Sequence, residues 1–311
     1  MNRAMIFAKT WVRPLLIPVF RSYIRYAPLD FGKARIWRTF CPFFQFADRS
    51  FKARTVFDMC VSGNTLDQIQ RRIYYFGAWE PNLTRFLQRR LSHGDIFVDV
   101  GANIGYFSLL AAKLVGPSGK VIAVEASPFI FEKLKGNIEQ NGVKNVLALN
   151  LAVSDSSGVA KVYAAPQGNI GETTILESKG YELESEIPCA RLDEVLSSED
   201  LRRIKVIKID VEGAEWAVVA GMPQVLASSP DSLEFVIEIN PKHLATLGRS
   251  ARDILQTFET AGFHAYELLN DYSDAGYLPP RVEKRPTKLT KSIEGRPVVD
   301  LVFSKKSVEV L

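Results

Sequence analysis

Val98-Asp99-Val100-Gly101-Ala102-Asn103-Ile104-Gly105 sets a carboxylate two residues ahead of a Gly-x-x-x-Gly turn. A glycine-bearing turn after the first strand of a doubly wound sheet lets a ligand approach the backbone closely. The GxGxxG spacing of a dinucleotide fingerprint is absent, however. A carboxylate at Asp99 would also repel a pyrophosphate, which needs N–H donors. It would attract a ligand that carries an ammonium and a sulfonium, the two cationic groups of S-adenosylmethionine. Gly101, Asn103 and Gly105 are the turn positions expected to line such a ligand. Glu125 follows Gly105 by twenty residues and ends the next apolar run, where an acid can accept both hydroxyl hydrogens of a ribose. Asp155 follows the third such run, in reach of an adenine amine, although Ser154-Asp155-Ser156-Ser157-Gly158 is equally a good turn sequence.

A second acidic group lies further along. Asp210 ends the apolar run Ile204–Ile209 and is followed by Glu212 and Glu215, while Glu238 ends the run that begins at Glu234. A hydroxyl acceptor benefits from a base within hydrogen-bond reach. Asp210 is the first candidate, with Glu212 and His243 beside it as catalytic candidates. Lys208 shares a strand face with Asp210 and can pair with an acid, holding that acid's pKa down. Asp210, Glu212 and Glu238 offer oxygen ligands suited to magnesium, yet the expectation is a metal-free acidic site, with no metal ligands assigned. Glu80, after Trp79, either caps the cofactor pocket or sits in a helix's first turn, where its charge suits the dipole.

These residues need a scaffold that delivers strand ends to one crevice. Buried runs at 96–100, 120–125, 146–151, 204–210 and 234–239 alternate with helical patterns at 106–115, 128–141, 214–226 and 251–261. Such alternation means βαβ units and a parallel sheet. Residues 155–190 break the rhythm with short strands at 158–163 and 187–190 around a polar insert. Ahead of the alternation, helices are predicted at 66–76, with Thr65 as N-cap and Gly77 as terminator, and at 80–91. After it, 265–269 reads as a strand, 276–297 as irregular, and 298–303 as a closing edge strand.

Hydrophobic residues make up 47% and charged residues 24% of the 311, as in a globular protein with a full core. The net charge of +4 is uneven: residues 1–54 hold eleven Lys/Arg against Asp30 and Asp48, which leaves the remainder acidic. Three scattered cysteines argue against a disulfide framework or a structural zinc. Leu15–Phe20 is apolar but far short of the about 20 residues that span a bilayer, and it lacks a signal-peptide cleavage pattern. The aromatics of residues 1–55 follow no long helical period; they suit either packing onto the body or contact with an anionic membrane surface. The expected organisation is a basic extension over 1–55, a helical lead-in over 56–94, a catalytic domain over 95–275 and a tail over 276–311.

Taken together, Val98–Gly105, Glu125 before Ser127-Pro128, Asn150–Asp155, and Lys208-Ile209-Asp210-Val211-Glu212-Gly213-Ala214-Glu215 resemble the FkbM-type methyltransferases, from about Val56 to Asn270. The resemblance implies an α/β, Rossmann-like class I methyltransferase fold, a mostly parallel twisted sheet with helices on both faces, to which the basic extension is added. It implies S-adenosylmethionine as cofactor and O-methylation of a hydroxyl on a sugar, glycan or other natural product. Arg191-Leu192-Asp193 stands where the family often has Thr-Leu-Asp. Two alternatives stay open: a nicotinamide-dependent oxidoreductase, and a non-catalytic cofactor-binding module tethered by its N-terminus. A cytoplasmic location, with peripheral contact of residues 1–55 at the inner membrane face and no nucleic-acid partner, completes the expectations. Acceptor identity and oligomeric state are not encoded in these motifs.

Overall fold

The computed structural model of the protein describes residues 13–27, 30, 32–44, 48–164, 173–177, 180–279 and 283–306. They fall into two compact units: one from the N-terminal residues to Pro81 with Asp271–Glu283, the other from Asn82 to Asn270 with the residues from Lys284 on.

The first unit contains helices α1 (Arg13–Tyr26) and α2 (Lys33–Phe44), the hairpin β1 (Ser50–Arg54) and β2 (Cys60–Asn64), and helix α3 (Gln68–Phe76). Phe20, Tyr23 and Tyr26 lie on α1 and Trp37 and Phe40 on α2, so these aromatics are helical after all, while Trp11 lies outside the described residues. Among the described side chains, Ile17, Phe20 and Ile24 are buried on α1 and Lys33, Trp37 and Cys41 on α2. Internal prolines Pro18 and Pro42 blur the pattern in the sequence. Phe20 stacks on Trp37 with centroids 5.5 Å apart, and Trp37 meets Tyr75 edge-on at 5.3 Å. The cap of α3 is Asp67 rather than Thr65: its carboxylate accepts from the Gln70 N–H at 2.9 Å. Gly77 closes the helix at φ 73, where its N–H reaches Ile73 O. Among the described residues no helix is long and apolar enough to cross a membrane.

The second unit follows α4 (Pro81–Arg90) with β3 (Ile96–Val100), α5 (Tyr106–Val115), β4 (Lys120–Glu125), α6 (Pro128–Gln140) and β5 (Val146–Asn150). Next come β6 (Ala152–Val153), β7 (Gly158–Ala164) and β8 (Glu182–Ala190), which form a separate three-stranded sheet. Its last strand is longer than the expected 187–190. Short helices α7 (Leu192–Val195) and α8 (Ser198–Leu201) lead to β9 (Ile204–Ile209), α9 (Glu215–Ala220), α10 (Pro223–Ser228) and β10 (Glu234–Ile239). The unit closes with α11 (Pro241–Thr246), α12 (Ala251–Thr260), β11 (His264–Glu267), β12 (Thr287–Lys288) and β13 (Val299–Ser304).

The eight-stranded sheet runs β12-β11-β13-β10-β9-β3-β4-β5. Strands β5, β4, β3, β9 and β10 are mutually parallel, which makes the unit α/β. Strand β13 is not at the edge as its position near the C-terminus suggested. It lies antiparallel between β10 and β11 and is buried at every residue, so its run Val-Asp-Leu-Val-Phe-Ser serves the core. The single helix expected over 214–226 is two, because Pro223 opens a new one and Gly221 packs against the main chain of Ser154, where a Cβ would fall 2.0 Å from its carbonyl oxygen.

Glu234 starts β10 fully buried, and the Arg90 guanidinium donates to both its oxygens, Nε to Oε2 at 2.8 Å and Nη2 to Oε1. Arg90→Leu strands that carboxylate and should cost about 3–5 kcal/mol in urea unfolding. Arg90→Leu/Glu234→Leu should recover most of the loss; a double variant as unstable as the single one would contradict this role for the pair.

Candidate functional site

The chain runs outward from β3 through β4 to β5, then returns to β9 on the other side of β3. The strand order therefore reverses between β3 and β9, and ligands of open α/β sheets bind outside the carboxyl ends of strands at such a point. Asp99 and Asp210 stand on its two sides. The parallel register pairs Asp99 with Lys208, and the Asp210 N–H donates to Val100 O at 3.0 Å. Gly101, at φ 80, permits the approach: a Cβ there would lie 1.7 Å from the Asp210 carbonyl oxygen. Asn103 also takes the left-handed conformation, at φ 51, and its side-chain oxygen accepts from the Ile104 N–H at 2.7 Å. Gly105, at φ 89, packs on Leu134, whose Cδ1 would be 2.6 Å from a Cβ.

Asp99 is fully buried in a strand whose other residues are apolar. Its Oδ2 accepts from the Ser108 hydroxyl at 2.6 Å. Its Oδ1 has no hydrogen-bond donor among the described residues, and Lys208 Nζ is 3.8 Å from it. Burial pushes this carboxyl up from its ordinary range, Lys208 and Ser108 draw it back, and Asp210 adds to the upward push. Glu125 ends β4 with both oxygens in use: Oε2 accepts from Asn103 N–H at 2.8 Å and Oε1 from Ser127 N–H at 2.9 Å. Burial pushes it up to about 7 against those two bonds. Ser127 also caps α6, and its hydroxyl donates to Glu184, which reaches in from β8. Asp155 lies exposed in its turn, accepting from the Ser156 hydroxyl at 3.1 Å.

An orphaned buried carboxylate oxygen beside a glycine cradle fits a ligand bearing an ammonium. Asp99, Gly101, Asn103, Gly105 and Glu125 would be the residues to hold one; the two glycines make room for Asp210 and Leu134, and the Asn103 N–H is held by Glu125.

Past β9 the second acidic group does assemble. One oxygen each of Asp210, Glu212 and Glu238 lie within 4.8 Å of one another, all half-buried. Glu212 reaches this position through a left-handed φ of 52. Lys208 Nζ donates to Asp210 Oδ2 at 2.9 Å, so a cationic partner is already built in beside the trio. His243 is exposed on α11, its ring against Gly213, where a Cβ would fall 2.6 Å from Nδ1. Glu215 is buried behind the turn, Oε1 accepting from Gly213 N–H at 2.7 Å, and burial pushes it up to about 7.

Glu80 belongs to the first unit, where it is buried at φ 39 and its N–H donates to the Tyr277 hydroxyl at 3.2 Å. Ser108 and Glu184 escaped the reading of the sequence. Ser108 sits in an apolar helix among small residues, and Glu184 in a segment whose strand period is hidden by charges. No local signal pairs Ser108 with Asp99 or Glu184 with Ser127.

Known proteins agree with these motifs. The description Methyltransferase FkbM domain matches residues 99–265. Methyltransferase sdnD of Sordaria araneosa is 29% identical over 163 residues, covering 43% of this chain and 62% of its own length. Hexuronic acid methyltransferase AglP of Haloferax volcanii is 28% identical over 178 residues, 56% of this chain and 69% of its own. The 31-O-demethyl-FK506 methyltransferase FkbM of Streptomyces tacrolimicus is 29% identical over 180 residues, covering 48% and 67%. The chain thus spans less than two thirds of the first of these relatives. A solved FkbM methyltransferase from Methylobacillus flagellatus KT superposes with a TM-score of 0.44 at 14% identity, over 69% of this chain and 44% of that one. These matches do not favour the nicotinamide alternative. With more than half of its length matched by that family's model, the chain belongs to the FkbM methyltransferase domain family.

Proposed function

We propose that the protein is an S-adenosylmethionine-dependent O-methyltransferase whose acceptor is a hydroxyl of a sugar, a glycan or another natural product. The observation that carries the reading is Asp99: a fully buried carboxylate with Oδ1 lacking a donor, at the switch point of the sheet and beside an acidic trio. Two relatives are named for hexuronic acid and for 31-O-demethyl-FK506, both consistent with oxygen as the methylated atom. S-adenosylmethionine supplies a methyl group on a sulfonium, transferred to a nucleophile by direct displacement.

The chain's own residues account for the rest. Asp99 would bind the cofactor's ammonium and Glu125 its ribose hydroxyls, with Gly101, Asn103 and Gly105 giving the backbone room. Asp155, exposed at the end of β6, would be free to meet the adenine. Asp210 would accept a hydrogen bond from the acceptor hydroxyl and take its proton, with Glu212 and His243 orienting the acceptor. Three carboxylates around one place suit a hydroxyl-rich partner, whose O–H groups they can accept from. Substrate choice would reside in the β7–β8 insert and in the loops after Asp210 and Asn240.

In calorimetry, S-adenosylmethionine should bind the wild type, and Asp99→Ala should weaken it by about 10–100-fold, the worth of one charged hydrogen bond. Glu125, protonated below about pH 7, has lost its charge there, so affinity should rise from pH 6 to pH 8 and Glu125→Gln should flatten that rise. Asp210→Asn should lower kcat by about 10²–10⁴ with cofactor affinity kept. Equal affinity of wild type and Asp99→Ala would sink the site assignment, and cofactor binding without turnover across a broad hydroxyl panel would favour a non-catalytic module.

The first unit adds a membrane-facing reading. Leu16, Val19 and Tyr26 of α1 and Phe40 of α2 are exposed, in a segment with a large basic excess that would draw it to anionic headgroups and the inner membrane face. Sedimentation with anionic liposomes should fall at least several-fold in Val19→Asp/Phe40→Asp; unchanged sedimentation would leave these residues as ordinary surface.

A further inference from the structure

Lys208 lies in the middle of the site, yet neither candidate role above uses it. It is 4% exposed on β9, directly across the ladder from Asp99. Its ammonium is 2.9 Å from Asp210 Oδ2, 3.8 Å from Asp99 Oδ1, and 5.3 Å from the centroid of the Phe107 ring. An ammonium taken out of water needs charge to compensate it, and two carboxylates on opposite sides of the switch point provide it. The strand period places Lys208 and Asp210 on one face, and the parallel register brings Asp99 alongside, so the backbone fixes all three positions.

We propose that Lys208 is a positioning residue of the methyl-transfer site: standing between Asp99 and Asp210, its ammonium keeps the first a carboxylate for the cofactor and fixes the second for the acceptor hydroxyl. The cofactor half of this statement rests on the functional reading given above; the effect on Asp99 does not, since it belongs to the ligand-free protein. Every element packed against Asp99 contributes to its charge balance. From α5 comes the Ser108 hydroxyl, from β9 Lys208 and then Asp210 past its end, and from β4 the carboxylate of Glu125. Among these described groups, Lys208 is the cation. Burial and the Asp210 carboxylate push Asp99 towards its neutral form, and Lys208 is the strongest opposing influence.

A neutral Asp99 would offer an ammonium ligand far less. Charge at this carboxylate therefore requires a buried cation that does not block Oδ1, and 3.8 Å meets that condition: near enough to act through space, too far to take up the lone pairs. A lysine suits the task because its ammonium is compact and carried on an apolar stem, here lodged against Phe107.

The test is a pH titration of the ligand-free, full-length protein by infrared difference spectroscopy, with the carboxyl band of Asp99 identified by its loss in Asp99→Asn. The midpoint for Asp99 should rise by one pH unit or more in Lys208→Gln, a tenfold change in its protonation constant, and stay within about half a unit of wild type in Lys208→Arg. Lys208→Met carries the same expectation should the glutamine variant not fold. Equal midpoints in wild type and the neutral variants would overturn the proposal. Calorimetry with S-adenosylmethionine in two buffers of different ionisation heat forms the second arm. Lys208→Gln should release more protons per cofactor bound than wild type, because Asp99 must then ionise on binding. A wild type that binds no cofactor would refute the functional reading, while the infrared midpoints still decide the role of Lys208.

Discussion

A carboxylate inside a parallel strand is the constraint on which this site depends. Every other residue of β3 is apolar, and its neighbours β4 and β9 are buried along most of their length. Placing Asp99 there is unfavourable by itself, because a charge leaving water loses more than most partners return. The surrounding sequence is arranged around that cost: a serine in the first turn of α5, a lysine across the ladder, and a glycine turn that leaves one oxygen open. A fold without a use for the charge would be more stable with valine in its place.

That constraint explains why the site spans two motifs far apart in the chain. Asp99 through Gly105 forms one wall and Lys208 through Glu215 the other, and the reversal of strand order brings them together. Gly101 is where they meet, since only a residue without Cβ allows the Asp210 carbonyl so near. The left-handed Asn103 and Glu212 occupy matching places on the two turns, one donating its N–H to Glu125, the other turning a carboxylate towards Asp210 and Glu238. Non-glycine residues held in this conformation cluster where function requires it.

Much of the arrangement could be read from residue order alone. Strand ends carrying acids and the helices between them follow from period and punctuation, and the parallel strands fall where the apolar runs are. What escaped were features set by contacts between distant segments. Two proline-containing helices in the first unit bury, among their described side chains, three residues each, too little for periodicity to register. The cap of α3 passed from Thr65 to Asp67 because a carboxylate two residues on meets the free N–H groups better. The break at Gly221 depends on the Ser154 carbonyl, sixty-seven residues earlier, and the interior position of β13 on a gap between β10 and β11. The engagement of both Glu125 oxygens by Asn103 and Ser127 has the same origin, and it means that this acid is oriented before any ligand arrives.

Asp99 and Glu125 are proposed to hold a cationic nucleoside cofactor at the switch point. A crystal structure of the full chain grown with S-adenosylmethionine tests this most directly. The cofactor's ammonium should lie within hydrogen-bond distance of Asp99 Oδ1 and its ribose hydroxyls at Glu125. A cofactor bound elsewhere, or bound here with its ammonium directed away from Asp99, would contradict it.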